Sequence, residues 1–251
     1  MHRHFAIVVF IAFFTFAVLC RAENPTAGKQ VAASTTVKVK TDDAVKAVTL
    51  QYQIYLPNEY ETKASEKWPL VLFLHGSGER GDDIEKVKIH GPPKLAGRGK
   101  EFPFVLVSPQ CPMTMRGWNA DELDKLVDEL TSSFRIDRQR LYVTGLSMGG
   151  SGTWSLIRAQ PEKFAAAMPL CGRGDLEAVE KLAQTPIWVL VGDQDREQTV
   201  QNCKDMAAAL NKAGGEVKLT VYPGVGHDCW TETYNNPEVY EWLLSHRRAG
   251  K

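Results

Sequence analysis

The sequence predicts a single α/β domain built on a mainly parallel, doubly wound sheet. Two observations carry that expectation. Short continuous apolar runs alternate with amphipathic segments from Trp68 to the C-terminus, as strands buried on both faces alternate with crossover helices. No internal repeat or long linker interrupts the alternation, and 251 residues fit one such domain comfortably. The composition is ordinary for a globular protein, at 43% hydrophobic and 24% charged. A formal net charge of zero gives no electrostatic ground for capturing nucleic acid or an anionic membrane.

The first residues stand apart from this pattern. Arg3 is followed by an apolar run from Phe5 to Leu19, and Cys20-Arg21-Ala22 places small residues around a cleavage point after Ala22. That is the layout of a secretory signal peptide over residues 1–22, and the run is short of the roughly 20 residues a spanning helix needs. The expectation is export to a periplasm or beyond, with no stable membrane insertion after cleavage. Cleavage would leave 28 basic against 30 acidic residues. Residues 23–36 are small and polar without periodicity and read as a flexible leader. The folded domain is placed at 37–250.

Val37 to Lys40 and Val48 to Leu56 alternate apolar with polar residues around Thr41-Asp42-Asp43, which predicts an N-terminal antiparallel hairpin. Parallel strands follow at Leu70 to Leu74, Phe104 to Val107, Leu141 to Val143, Phe164 to Leu170, Ile187 to Val191 and Val217 to Val221. Helices are expected at Asp121 to Phe134, Gly149 to Ala159, Leu176 to Ala183, Glu197 to Lys212 and Glu238 to His246. In the first of these, Leu123, Leu126, Val127 and Leu130 fall on one face. Ala213-Gly214-Gly215 is a stop signal for the fourth. In such a sheet, chemistry gathers at the carboxyl ends of the strands.

One of those ends carries Gly145-Leu146-Ser147-Met148-Gly149, a G-x-S-x-G between a strand and a helix. A serine at the apex of so tight a turn takes a strained backbone, and glycines two residues to either side avoid clashes at Gly145 and Gly149. The turn would lift the Ser147 hydroxyl clear of the sheet and direct the Met148 amide at a helix N-terminus. The competing reading, Ser147 as a simple helix cap, accounts for one glycine but not both.

A serine nucleophile needs a base, and histidine suits neutral pH. His227 lies in Pro223-Gly224-Val225-Gly226-His227, a loop that leaves the last strand. His246 sits in a basic terminal helix, and His90 lies in an irregular Pro-containing stretch. The orienting acid should follow the strand Ile187 to Val191, which ends in Gly192-Asp193-Gln194-Asp195. Asp195, farther out, is preferred to Asp193, which is placed to hold the turn. Asp228 adjoins His227, and adjacent side chains seldom face each other.

The strand Leu70 to Leu74 ends in His75-Gly76-Ser77-Gly78-Glu79-Arg80-Gly81, formally a G-x-G-x-x-G dinucleotide fingerprint. A cofactor would need a helix opening at these glycines, yet Asp82-Asp83 follow and Pro92-Pro93 break any long helix. The alternative is a second oxyanion donor, the backbone N–H of Ser77, facing that of Met148. His75 is then a loop-stabilising residue. No cluster has metal-ligand spacing, so neither cofactor nor metal is expected. Cys111, Cys171, Cys203 and Cys229 could pair in three ways in an oxidising compartment, and a domain this size requires none of them.

The segments HGSGERG (75–81), SPQCP (108–112), GLSMGG (145–150), the turn 192–195 and GHDCW (226–230) together resemble the esterase and predicted-peptidase branch of the α/β-hydrolases. That branch is similar to dienelactone hydrolase, to phospholipase/carboxylesterases and to the polyhydroxybutyrate-depolymerase and feruloyl-esterase group. The resemblance runs from about Leu50 to the last helix. It implies an α/β-hydrolase fold, a Ser147–Asp195–His227 triad, oxyanion amides at Ser77 and Met148, and structural roles for Glu79 and Arg80. Only Cys171-Gly172-Arg173-Gly174 separates Phe164 to Leu170 from the next helix, leaving no room there for a large cap. The expected substrate is therefore a small or polymer-borne ester, with Trp118 and Trp230 as cleft or packing aromatics. Two rivals are a peptidase of the prolyl-oligopeptidase type, which usually carries a large extra domain, and a non-catalytic binding protein on the same scaffold. Nothing in the sequence sets the oligomeric state.

Overall fold

The computed structural model describes residues 25–40 and 44–248. The expected signal peptide and the turn at 41–43 lie outside these residues. Among these residues, eight strands form one sheet: β1 Gln30–Lys40, β2 Val45–Tyr55, β3 Trp68–Leu74, β4 Val105–Pro109, β5 Ile136–Leu146, β6 Ala166–Leu170, β7 Ile187–Gly192 and β8 Val217–Tyr222. Their spatial order is β1-β2-β4-β3-β5-β6-β7-β8. β1 and β2 pair antiparallel from Gln30↔Tyr55 to Lys40↔Val45, and β2 is antiparallel to β4. Every pairing from β4 through β8 is parallel.

Among the described residues, seven α-helices cover the two faces: α1 Gly91–Gly97, α2 Ala120–Ser133, α3 Met148–Ala159, α4 Val179–Leu182, α5 Glu197–Lys212, α6 Trp230–Asn235 and α7 Glu238–Ser245. The pleat of β3 explains why both faces need covering. Leu70, Leu72 and Leu74 point into a core completed by α2, α3 and α5, through residues such as Leu126, Ile157 and Met206. Val71 and Phe73 point into the opposite core with Tyr234 of α6 and Val239, Tyr240 and Leu243 of α7. All seven residues of β3 are buried, which is why this strand reads as an unbroken apolar run. At the head of α2, the Asn119 carboxamide accepts from the N–H groups of Asp121 (2.9 Å) and Glu122 (3.2 Å), a side-chain cap.

The structure corrects three expectations. The leader assigned to 23–36 contains strand, because β1 begins at Gln30 and residues 30–36 pair along β2. Their small side chains carry no alternation, and it is the partner strand that makes them extended. The helix expected at 176–183 is a 3-10 turn, Leu176–Ala178, running into the single turn of α4. Two short helices, α1 and α6, form where none was expected; Pro92 and Pro93 occupy the first turn of α1, where their missing N–H groups cost nothing.

Sequence neighbours of β3 diverge. Its chain continues to β4 on one side, whereas β5 pairs on the other. That reversal opens a crevice at the carboxyl ends of β3 and β5. Among the described residues, no helix is long and apolar enough to cross a membrane.

Candidate active site

Ser147 stands between β5 and α3 with φ 55° and ψ −113°, one of two described non-glycine residues at positive φ. Only close support from neighbours holds a serine there. Gly145 and Gly149 supply it by allowing backbone to approach backbone. A Cβ on Gly145 would lie 2.5 Å from the Gly149 carbonyl oxygen, and one on Gly149 would collide with the Leu74 carbonyl at the end of β3. The Ser147 N–H donates to the Leu170 carbonyl of β6 (2.9 Å), tying the turn to the neighbouring strand.

His227 and Asp195 arrive from the loops after β8 and β7. Ser147 Oγ lies 2.9 Å from His227 Nε2, and His227 Nδ1 lies 2.8 Å from Asp195 Oδ2. An ionised carboxylate only accepts, so Nδ1 carries the ring proton and Nε2 is free to accept from the serine hydroxyl. The Asp195 side chain is 1% exposed against 40% for His227: the acid is held out of water while the ring faces the cleft. The second Asp195 oxygen accepts from the Arg196 N–H at 2.6 Å, which fixes the carboxylate plane. Asp193 does something else. Its Oδ1 accepts from the Gly224 N–H at 2.7 Å and ties the β7 turn to the loop that delivers His227.

Met148 is the first residue of α3, where a backbone N–H has no intrahelical acceptor. Ser77 begins a 3-10 turn, Ser77–Glu79, and a Cβ on Gly76 beside it would be in van der Waals contact with the Ser147 Cβ, at 3.7 Å. Both predicted donors therefore border the nucleophile candidate. The loop carrying Ser77 is braced from below. His75 is fully buried, its Nδ1 donating to the Gly76 carbonyl (2.6 Å) and its Nε2 accepting from the Cys111 N–H (3.0 Å). Burial above all, with the Arg80 charge adding to it, lowers the His75 pKa to about 4. Arg80 spans outward from the same loop, donating to the carbonyls of Ser77 (3.1 Å) and Met115 (2.7 Å). The Glu79 carboxylate is buried within 3.7 Å of His90 Nε2 and 4.0 Å of His75 Nδ1.

The cleft at Ser147 has a volume of about 200 Å³, lined by Met148, Ser151, Cys171, Arg173, Arg196 and Thr199 among others. Through Ser151, Arg173 and Gln198 it adjoins a broader groove of about 640 Å³ that runs between α3 and α5. Trp118 lies outside the cleft: its indole N–H donates to the His75 carbonyl (3.2 Å) and its ring fills the space above Gly152. Trp230 stands edge-on to His227 with ring centroids 5.4 Å apart, and His90 packs against the same Trp230 ring at 5.5 Å. His90 thus belongs to the surroundings of the site although no strand end precedes it in sequence. Cys171, directly after β6 and at φ 42°, also lines the cleft, a place not assigned to it from the sequence. Its position at a strand end was the signal that could have found it.

The hydroxyl, imidazole and carboxylate form one hydrogen-bonded series beside two amides, an arrangement suited to activating a hydroxyl for attack on a carbonyl. Known proteins share this scaffold. A bifunctional acetylxylan esterase/xylanase, XynS20E, of Neocallimastix patriciarum is 26% identical over 51% of this chain and 19% of its own length. The crystal structure of a thermostable esterase superposes with a TM-score of 0.69 at 32% identity, covering 86% of this chain and 63% of that one. A feruloyl esterase module from Clostridium thermocellum shares the fold at a TM-score of 0.64 and 16% identity, over 89% and 90% of the two chains. The chain spans between about a fifth and somewhat over half of the length of the curated relatives it matches. Residues 112–241, half of the chain, match the model of one family across β5 to β8 and their helices, and on that match the chain belongs to the dienelactone hydrolase family.

Proposed function

We propose that this protein is a serine hydrolase that cleaves carboxylic esters, small or polymer-borne, through an acyl-enzyme. The observation that carries the reading is the unbroken series Asp195–His227–Ser147, with bonds of 2.8 and 2.9 Å, ending on a serine forced to φ 55°. His227 Nε2 takes the Ser147 proton as Oγ attacks the acyl carbonyl. The Ser77 and Met148 amides receive the developing oxyanion, and buried Asp195 holds the ring and stabilises the imidazolium. His227 then returns the proton to the leaving alcohol, and water repeats the sequence to release the acid. The names of a relative and of the structural neighbour at 32% identity, both esterases, favour an ester over an amide. The sequence pattern of residues 1–22 extends the proposal to export, so that substrate is met outside the cytoplasm.

A panel of p-nitrophenyl esters against p-nitroanilides tests this. Ester turnover should exceed anilide turnover by at least about a thousandfold, and a fluorophosphonate probe should label the wild type but not Ser147→Ala. Turnover in that variant should fall on the order of 10⁶-fold. Labelling that persists in Ser147→Ala would overturn the nucleophile, and anilide cleavage matching ester cleavage would overturn the substrate class.

A further inference from the structure

Beside the Asp195–His227 pair lie two thiols that the proposed chemistry does not use, the Cys171 sulfur within 4.8 Å of the ligand atoms of both residues. Cys171 follows β6 and is 3% exposed, and Cys229 stands two residues after His227 with no exposure. Both belong to the same apolar core, on the α6–α7 face of the sheet. They converge on one atom, the Leu190 carbonyl oxygen of β7: the Cys171 N–H donates to it at 2.8 Å and the Cys229 thiol at 3.9 Å. The neighbouring Cys229 thiol, together with burial, raises the Cys171 thiol pKa. The other two thiols have backbone acceptors of their own. Cys203 sits on α5 in the opposite core and donates to the Gly172 carbonyl (3.5 Å), and Cys111 donates to the carbonyls of Pro112 and Gly117. All four are free thiols in the structure.

We propose that Cys171 and Cys229 are a disulfide site, joining the loop after β6 to the loop that delivers His227. Two side chains of one core that gather at the same carbonyl are placed to meet at the S–S bond length of about 2.05 Å. The left-handed backbone at Cys171 supports a side chain with a purpose, since glycine would fit φ 42° without strain. The bond forms by thiol–disulfide exchange with a small-molecule or protein disulfide. One cysteine thiolate attacks a sulfur of that oxidant and expels a thiolate. The second cysteine then attacks the mixed disulfide and expels the other, so the pair loses two protons and two electrons while the oxidant becomes two thiols. In the folded chain the buried Cys171 thiol, its pKa raised, is a poor nucleophile, so exchange belongs to folding, before the core closes. Only the supply of oxidant in the cell rests on the proposed export; the juxtaposition itself does not.

The chain is unfolded under reductant, refolded in a buffer of reduced and oxidised glutathione, alkylated and digested with trypsin. The expected product is a linked pair of the peptides Phe164–Arg173 and Leu219–Arg247, which carry Cys171 and Cys229, abolished by reductant. If refolding fails, the same digest is made on protein produced in a bacterial periplasm. Reductant should lower the thermal midpoint of the wild type by about 5–10 °C and leave that of Cys229→Ala unmoved. Complete alkylation of Cys111, Cys171, Cys203 and Cys229 without reductant would overturn the assignment. A link from Cys171 or Cys229 to any other cysteine would also overturn it, as would an equal fall in midpoint for Cys229→Ala. None of these readouts depends on esterase activity.

Discussion

Two aspartates stand two residues apart after β7, and one atom of geometry separates their roles. Asp195 reaches the ring of His227, and Asp193 reaches a backbone N–H of the loop behind it. Asp195→Asn offers an amide where the Nδ1–H needs an acceptor, which favours the wrong ring tautomer. Ester turnover should fall about 10⁴-fold at neutral pH. Asp193→Asn keeps an oxygen able to accept from Gly224, so its turnover should stay within about tenfold of the wild type. Steady-state rates on p-nitrophenyl acetate decide the matter. His75 carries a prediction of a different kind. Its pKa falls from 6.5 when unfolded to about 4 when folded, so between those values the unfolded chain binds the extra proton. Stability is fully present above about pH 6.5 and drains away as pH drops towards 4. The loss from this group is about 3 kcal/mol. Urea midpoints at pH 7, 5.5 and 4 should show this slope in the wild type and a shallower one in His75→Gln.

At the scale of elements, the site depends on how closely the turn between β5 and α3 approaches β3. Gly149→Ala sets a methyl against the Leu74 carbonyl, a collision with backbone on both sides. The variant should lose about 3 kcal/mol or more in chemical denaturation, or fail to fold. Gly117→Ala, where a Cβ meets nothing within 4 Å, should stay within about 1 kcal/mol. The elements that the sequence made legible are those whose burial is written along their own residues. Examples are the unbroken apolar run of β3 and the one-sided stripe of Leu123, Leu126, Val127 and Leu130 on α2. The G-x-S-x-G pattern exposed the turn for the same reason, since close approach leaves glycine as the local choice. What stayed illegible depends on partners distant in sequence. Residues 30–36 are strand because β2 lies beside them, and α6 is helical although only six residues long. His90 comes near the site because Trp230 packs against both it and His227. No pattern local to any of these segments encodes its neighbour.

Across the whole molecule, the exposed upper rim of the sheet sets what the cleft can hold. The chain passes from β6 to the next helical turn at Leu176 through Cys171 to Asp175, without an insertion over Ser147. Ser151, Arg173, Arg196, Gln198 and Thr199 line the cleft with hydroxyls, amides and guanidinium groups. A methylene contributes about 0.8 kcal/mol only when an apolar wall removes it from water. Longer acyl chains find little such wall here, so kcat/KM should not climb from acetate to octanoate esters of p-nitrophenol. A decline of about tenfold is expected, and a rise past eight carbons would contradict an open polar cleft.

The serine, carboxylate and ring stand on loops from three different strands, with His227 separated from Asp195 by 32 positions and from Ser147 by 80. A polypeptide emerging amino end first therefore presents its hydroxyl long before the ring that would activate it. β8 must add to the edge of β7 before the series can close. Regain of turnover after dilution from denaturant would then time the docking of the last strand, and a truncated or half-folded chain would be chemically silent.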